Sequence, residues 1–494
     1  MPEPQRNAPR LPLAVLGAVS LLGYVFASLG LAGSGSAEDI RYFLTLFAGL
    51  FALYFLALSW ARRGAITGAR SLVPQILMWA ALFRLAMLPA GLPQDSWPRD
   101  LLADLRSQEV TYRSHLLYDN DVWRYLWDGH VLSHGLNPYA TSPAEFEARL
   151  DDEEPIAVDL FEDELWQDVF DRVSYGTYHT VYPPAAQGLF ALSHLLAPGS
   201  ILLWKLILVV LDLATCYLLV RLSRSRGLTP SSVLLYAWNP LLIKEIAGSG
   251  HLDAAMIYFL VLAVYGVEFG RPRLGLFAFG MATLSKITPI LLLPLFLVRS
   301  RPRHWWVLGV TLAVGYLPFA GALDTMVRAI LAFAREWVFN PGPWLLIYRT
   351  AEATGLPGRV IASLIGLAVT LGLIAWAVRS DDRSNAHLTS SAFAILGGYL
   401  IFGAAVMPWY LLWVLPFAAL SLPPDGRLSR RPWVIAWTAL TGLSLLSYQI
   451  YVDQVEHRWW LWVEYLGFFG IFAAAYAYCR SARLRSAALQ NADA

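Results

Sequence analysis

The chain has 494 residues, of which 57% are hydrophobic and 15% charged, and its mean hydropathy is +0.49. Soluble domains carry about 25% charged residues, so this composition excludes an ordinary soluble domain and indicates a polytopic membrane protein. A net charge of +1 gives no electrostatic footprint for nucleic acid as a partner.

The N-terminal MPEPQRNAPR, followed by LPLAVLGAVSLLGYVFASLGLAG, has the basic and apolar regions of a signal peptide. Its apolar part exceeds about twenty residues and a second apolar run follows, so an uncleaved first span is expected. Spans are expected near 12–34, 40–60 and 71–93. Arg62, Arg63 and Arg70 lie between the second and third, which marks that turn as cytoplasmic. The polar stretch from Leu92 to Pro183 is then external. The segment Pro184 to Leu196, at roughly thirteen residues, is too short to cross and reads as re-entrant or interfacial. A span near 200–221 returns to Arg221, Arg224 and Arg226, and spans near 229–247 and 252–268 lead to Arg271 and Arg273. The next basic cluster is Arg299, Arg301 and Arg303. The intervening 274–298 must therefore cross an even number of times, which predicts a hairpin of two short helices with Lys286 near its external tip. A span near 304–322 opens a second external loop from Asp324 to Gly358. Spans near 357–378, 388–406, 407–421, 433–451 and 458–479 follow. The expected fold is an all-α integral membrane bundle of about 12–14 spans, with both termini cytoplasmic and no internal repeat. It divides into 1–93, the first loop and re-entrant segment 94–199, a central bundle 200–323, the second loop 324–358 and C-terminal spans 359–494.

Within the first loop, residues 94–118 suit a helix lying on the membrane surface. Asp119 to Ser133 reads as a helix opening with carboxylates, which its N-terminal dipole favours. On it Asp121 faces Arg124 and Tyr125, and Arg124 reaches Asp128 at i+4. Asn137, Pro138 and Tyr139 form a turn. Residues 144–171 are acidic without a metal-ligand pattern and read as a solvated face. Prolines 183 and 184, next to Tyr182, fix the chain's return to the membrane. A salt-bridged surface helix is the plain alternative for the helix from Asp119, but the crowding of Asp119, Asp121, Arg124 and Asp128 beside aromatic residues favours a site.

The chain holds 34 arginines but only three lysines, Lys205, Lys244 and Lys286, all within or at the ends of apolar segments. Ionisable groups there are costly and mark function or snorkel to a headgroup. His251 and Asp253 follow Lys244 and Glu245 on the external side, where His251 could also serve as a helix cap. The second loop adds Arg335 and Arg349. Cys216 and Cys479 both fall in apolar runs, so no disulfide or metal cluster is readable. An external carboxylate can serve as general base on a hydroxyl, while cations stabilise a phosphate leaving group. Nucleotide sugars are absent outside the cytoplasm, so an activated sugar must arrive on a lipid phosphate. Lys205, Lys244, Lys286, Arg335 and Arg349 are the candidates for that phosphate. A transporter or flippase would usually show repeated halves, and a polymerase or ligase using an assembled lipid-linked glycan would share the same chemistry.

The runs DVWRYLWDGHVLSHGLNPY, VYPPAAQGLFAL, WKLILVVLDLAT, YAWNPLLIKEIAGSGHLDA and LSKITPILLLP closely resemble bacterial polyprenol-phosphate-mannose-dependent mannosyltransferases. These belong to the GT-C superfamily, in a group related to glycosyltransferase family 87. More distantly the chain is similar to the mannosyltransferase that adds the first mannose in GPI-anchor synthesis. The resemblance covers residues 115–300 and extends through EWVFNPGPW and MPWYLLWVLP toward residue 421. It implies a multi-span membrane enzyme at the cell membrane, with its site on the external face. The implied reaction is hexosyl transfer, most simply of mannose, from a polyprenyl-phosphate donor with inversion. The acceptor is a glycolipid, polysaccharide or protein, and transfer is either metal-independent or assisted by a divalent cation. The family's acidic motif matches Asp119 and Asp121, with Asp121 as base and Asp119 as partner or alternative. Arg124, Tyr125, Asp128, Asn137, Tyr139, Tyr182, His251 and Asp253 are the supporting residues.

Overall fold

The structure is a computed structural model that describes residues 10–31, 34–66, 72–92, 103, 117–426 and 431–492. The surface helix expected over 94–118 lies almost wholly outside the described residues. Those residues are helical throughout, with one isolated bridge between Phe339 and Ala405.

Three helices open the bundle: α1 (Arg10–Gly30), α2 (Ala37–Ile66) and α3 (Leu72–Met87). The polar loop carries α4 (Asp121–Ser133), α5 (Pro143–Asp151), α6 (Pro155–Leu160) and α7 (Glu164–Asp171). Helix α5 starts on a capping box in which Ser142 and Glu145 satisfy each other's backbone N–H, which fixes its first turn. The carboxylates of 144–171 face outward, as a solvated surface requires. Helix α8 (Pro184–Leu196) begins where two prolines stop any preceding helix and packs on α4. Gly129 makes this contact: a Cβ there would sit 2.6 Å from the carbonyl oxygen of Phe190.

The centre consists of α9 (Ile201–Ser225), α10 (Pro230–Ala237) and α11 (Pro240–Ile243), which leads into a π-helical turn, Lys244–Ser249. Next come α12 (Asp253–Glu268) and α13 (Pro272–Ser285). These two pack as an antiparallel hairpin. Asp253 and Lys286 lie at one end, and the turn at Gly270 lies at the other. A 3-10 turn, Thr288–Leu292, leads into α14 (Leu293–Val298), so 274–298 holds two short helices with Lys286 between them. The remainder is α15 (Trp305–Tyr316), α16 (Leu323–Glu336), α17 (Pro343–Ala353), α18 (Gly358–Arg379), α19 (Asn385–Ile401), α20 (Leu415–Leu420), α21 (Pro432–Leu443), α22 (Ile450–Asp453) and α23 (Arg458–Ala492).

Among the described residues, seven helical runs are long and apolar enough to cross a membrane. The other expected crossings fall on shorter pieces, such as α3 with 16 residues, α12 with 16 and α13 with 14. Most of α12 is buried against its neighbours, and broken or short helices are tolerated where protein rather than lipid surrounds them. Beyond the expected span at 304–322 the helical run continues, through a 3-10 kink at Leu317–Ala322, to Glu336. A buried ion pair braces the core: Arg84 Nε meets Asp212 Oδ2 at 2.6 Å with both side chains fully buried. Tyr236 donates to the other Asp212 oxygen at 2.7 Å, and Arg84 donates to the carbonyl of Ala237. These contacts tie α3, α9 and α10 together and leave no charge unmatched, as burial demands.

Candidate active site

The acidic motif stands where the polar loop meets the bundle. Leu117 and Tyr118 adopt left-handed backbone conformations, with φ +49° and +64°, and Tyr118 is buried against Phe43, Tyr448 and Tyr451. This bend delivers Asp119 into the interior, where it is 4% exposed. Its Oδ1 accepts the Asp121 N–H at 2.8 Å. Asp121 occupies the first turn of α4, and 36% of its side chain remains exposed. Tyr125, one turn later, donates to Asp121 Oδ2 at 3.3 Å.

Facing this motif is the π-helical turn. Such turns add a residue to the helical circuit and recur at functional sites. Gly250 closes it with φ +79°, a conformation that favours glycine, and the His251 N–H returns to the Glu245 carbonyl at 2.9 Å. The His251 ring is fully buried and stacks on Trp409 at 3.9 Å. Its Nε2 lies 3.4 Å from Asp119 Oδ2 and 3.3 Å from Glu245 Oε2, and its Nδ1 lies 3.9 Å from Asp121 Oδ2. Behind it, Lys244 donates to Glu245 at 3.1 Å and to the Tyr448 hydroxyl at 2.7 Å. Tyr448 donates in turn to Glu245 at 2.5 Å.

A third group comes from the end of the α12–α13 hairpin. Lys286 caps α13 in extended conformation and donates to Asp253 Oδ1 at 2.8 Å. Trp413 donates to the same oxygen at 2.5 Å. The ammonium lies 4.4 Å from the Tyr410 ring centre and 4.9 Å from that of Trp413, within cation–π range. With 18% of its side chain exposed, Lys286 is the one lysine here that opens outward.

Burial pushes the Asp121 carboxyl up, and the Asp119 charge adds to it, to about 6. Burial would also raise Asp119, but the nearby His251 charge leads the opposing effects that hold that carboxyl below its ordinary range. Burial opposes the charged imidazole of His251, yet Asp119 and Glu245 prevail and push it up to about 10. Ligand atoms of Asp119, Asp121 and His251 lie within 4.8 Å of one another, a spacing a divalent ion could bridge. A protonated imidazole has no lone pair to offer, so an ion at this place would have to displace the His251 proton.

Other expected residues support this site at a distance. Arg124 meets Asp128 at 2.7 Å and the Tyr178 carbonyl at 3.0 Å. Gln187, which the sequence did not single out, donates to Asp128 at 2.9 Å. Asn137 accepts the Tyr139 N–H in a turn, and the Tyr139 hydroxyl donates to the Tyr182 carbonyl. Tyr182 packs edge-on to Tyr125. Lys205 is 1% exposed and donates to the carbonyls of Leu88 and Ala90, and Lys244 is fully buried in its pair. Neither is placed to meet a phosphate without giving up these partners. Arg335 on α16 and Arg349 on α17 are exposed, and no described contact joins them to the acidic cluster. Glu245, Tyr448, Trp409 and Trp413 complete the site across long sequence separations. In the sequence Glu245 signals itself as an ionisable residue in an apolar run, and Trp409 and Tyr448 only as aromatics at an outer membrane boundary.

Residues 115–300 match the model of the family described as "Alpha-(1->6)-mannopyranosyltransferase, N-terminal domain". The matched segment contains Asp119, Asp121, His251, Asp253 and Lys286. The chain is a membrane enzyme of the mannosyltransferase kind. Alpha-(1->6)-mannopyranosyltransferase A of Mycobacterium tuberculosis is 25% identical, over 91% of this chain and 87% of that protein. A probable alpha-(1->6)-mannopyranosyltransferase of Mycolicibacterium smegmatis is 24% identical, over 66% of this mannosyltransferase and 65% of its relative. No solved structure matches.

Proposed function

We propose that this protein moves a mannosyl group from a polyprenyl-phosphate donor to an acceptor hydroxyl on the external face, with inversion at the anomeric carbon. Asp121 takes the hydroxyl proton while the acceptor oxygen bonds to the anomeric carbon. The bond from that carbon to the phosphate oxygen breaks, and the polyprenyl phosphate departs with the electron pair. Lys286 meets the charge that develops on it. The observation that carries this reading is the exposure of Asp121 beside partners that are buried. Asp119 lies 3.4 Å from His251 and Asp253 pairs with Lys286, whereas among the described residues Asp121 has no cation nearer than His251 at 3.9 Å.

The external location is supported by the placing of charge. Arg271, Arg273, Arg299, Arg301 and Arg303 gather at the ends of α12, α13 and α14 away from Asp253 and Lys286, as cytoplasmic turns do. The names of the relatives supply the α-(1→6) linkage, and inversion to an α product requires a β-linked donor. The acceptor would then be the primary hydroxyl of a mannose on a glycolipid, polysaccharide or protein.

The test incubates purified protein with labelled polyprenyl-phosphate-mannose and an α-mannoside acceptor. Wild type is expected to form an α-(1→6) product. Asp121→Asn is expected to lose roughly 10²–10⁴-fold in turnover, the range for removing a general base, while still binding donor. Transfer by Asp121→Asn at the wild-type rate would end the proposal.

A further inference from the structure

At the far end of the α12–α13 hairpin from Asp121, the structure forms a half-open cavity of about 330 Å³. A sixteen-residue helix such as α12 spans about 24 Å, so this cavity is remote from the acidic cluster. Its walls include Gly270, Pro272, Phe296, Arg299, Arg301, Arg303 and His304.

Three features favour an anion in it. Arg301 and Arg303 are exposed and enter no ion pair among the described residues, while Arg273, Arg301 and Arg303 all impose their charges on His304. Of the carboxylates around it, Glu268 is committed to Arg226 at 2.7 Å and Asp381 to Arg299, while Asp382 lies near enough to act on Arg299 and is held by the Ser384 N–H. Second, Pro272 opens the fourteen-residue α13 and His304 precedes the twelve-residue α15. Both walls therefore present the start of a helix, where unpaired N–H groups and the helix dipole favour negative charge. Third, the Arg299 side chain is only 3% exposed, and its Nε has no hydrogen-bond partner, nor does His304 Nδ1. A buried guanidinium N–H left unmade at a cavity wall is costly, and an anionic oxygen would satisfy it.

The rim says what carries that oxygen. Phe269, Trp305 and Trp306 are 37%, 40% and 58% exposed beside the cavity. Tryptophans of this kind settle at the headgroup level of a bilayer. We propose that the cavity binds the phosphate of an anionic lipid headgroup in the leaflet on the arginine-rich side, with the acyl chains lying along the exposed aromatic rim. This second lipid site is independent of the transfer chemistry.

The experiment follows thermal unfolding of the purified full-length protein in detergent. It titrates phosphatidylglycerol, phosphatidylcholine or inorganic phosphate into wild type and the double variant Arg301→Gln, Arg303→Gln. Both arginines are exposed and unpaired, so the variant keeps its fold, which its unfolding midpoint without lipid verifies. Phosphatidylglycerol is expected to raise the wild-type midpoint, and phosphatidylcholine to leave it unchanged. In the variant the apparent affinity for phosphatidylglycerol should fall roughly thirtyfold if each arginine contributes as basic residues do at an anionic surface. Equal stabilisation of wild type and variant would overturn the site. Equal stabilisation by inorganic phosphate would overturn its assignment to a lipid.

Discussion

Asp119→Asn should move the acid limb of the transfer rate toward lower pH. A general base acts deprotonated, so the rate rises with pH through the pKa of Asp121, which stands at about 6. Burial is the first cause of that elevation and the neighbouring Asp119 charge the second. Asparagine keeps an oxygen to accept the Asp121 N–H but removes the charge, and it leaves His251 shared between Glu245 and Asp121. Loss of the Asp119 charge favours the Asp121 carboxylate, which sets the sign. The groups lie within 4.8 Å, where one unit charge contributes about 0.9 kcal/mol at the dielectric of water and about 3.5 kcal/mol at an effective dielectric of about 20. At about 1.36 kcal/mol per pH unit, the midpoint falls by between about 0.6 and about 2.5 pH units. Because the Asp121 side chain is 36% exposed, solvent screening favours the lower part of that range, about 1 pH unit. Initial rates of mannosyl transfer against pH, for wild type and Asp119→Asn, measure the shift. Infrared titration of the Asp121 carboxyl, with Asp121→Asn as the blank, reads the same ionisation without turnover. A midpoint that stays in place or moves upward would refute the assignment of Asp121 as the base raised by Asp119.

On the reading in which His251 serves as the cation for Asp119, chelator treatment should leave transfer intact, and loss of activity restored by manganese or magnesium would show a metal centre instead. Lys286→Gln should lower kcat/KM for the donor roughly 10–100-fold, the range for one charge-assisted hydrogen bond. By contrast Lys205→Met should lower the unfolding midpoint, through the carbonyls it deserts, while leaving donor kinetics unchanged. Gly129→Ala places a methyl 2.6 Å from the Phe190 carbonyl oxygen. Its overpacking should cost about 1–3 kcal/mol, seen as a lower unfolding midpoint.

The helix of the acidic motif was legible because its signals are local. An acidic first turn, an i,i+4 pair of Arg124 with Asp128 and a glycine beyond the end all lie within one stretch. The break at Lys286 was legible for the same reason, since the proline at 289 and a lysine interrupt an apolar run. The count of crossings was less so, because α12 and α13 are short helices surrounded by protein, and a hydropathy window cannot distinguish them from spans bathed in lipid. The fate of the lysines could not be read either. What separates Lys205 and Lys244 from Lys286 is the partner each finds: two carbonyls more than a hundred residues away, a tyrosine 204 residues on, and an aromatic corner contributed by 410 and 413.

Those partners explain why one carboxylate differs from the rest. Among the described residues the cluster holds Asp119, Asp121, Glu245 and Asp253 against Lys244, His251 and Lys286. Lys286 lies against Asp253 and Lys244 against Glu245, while His251 stands between Glu245 and Asp119 at 3.3 and 3.4 Å. A buried carboxylate without a matching cation would be expensive to ionise, so the fourth must either reach solvent or carry a proton. Asp121 does both in part, with its side chain partly open and its pKa raised to about 6. Those are the properties of a general base working near neutrality: ionised often enough to act, yet basic enough to take a proton. An ordinary exposed aspartate would be two pH units less basic, and a fully paired one would have no reason to accept a proton at all. The surplus of one negative charge, set by residues drawn from both ends of the chain, is therefore what would make Asp121 reactive.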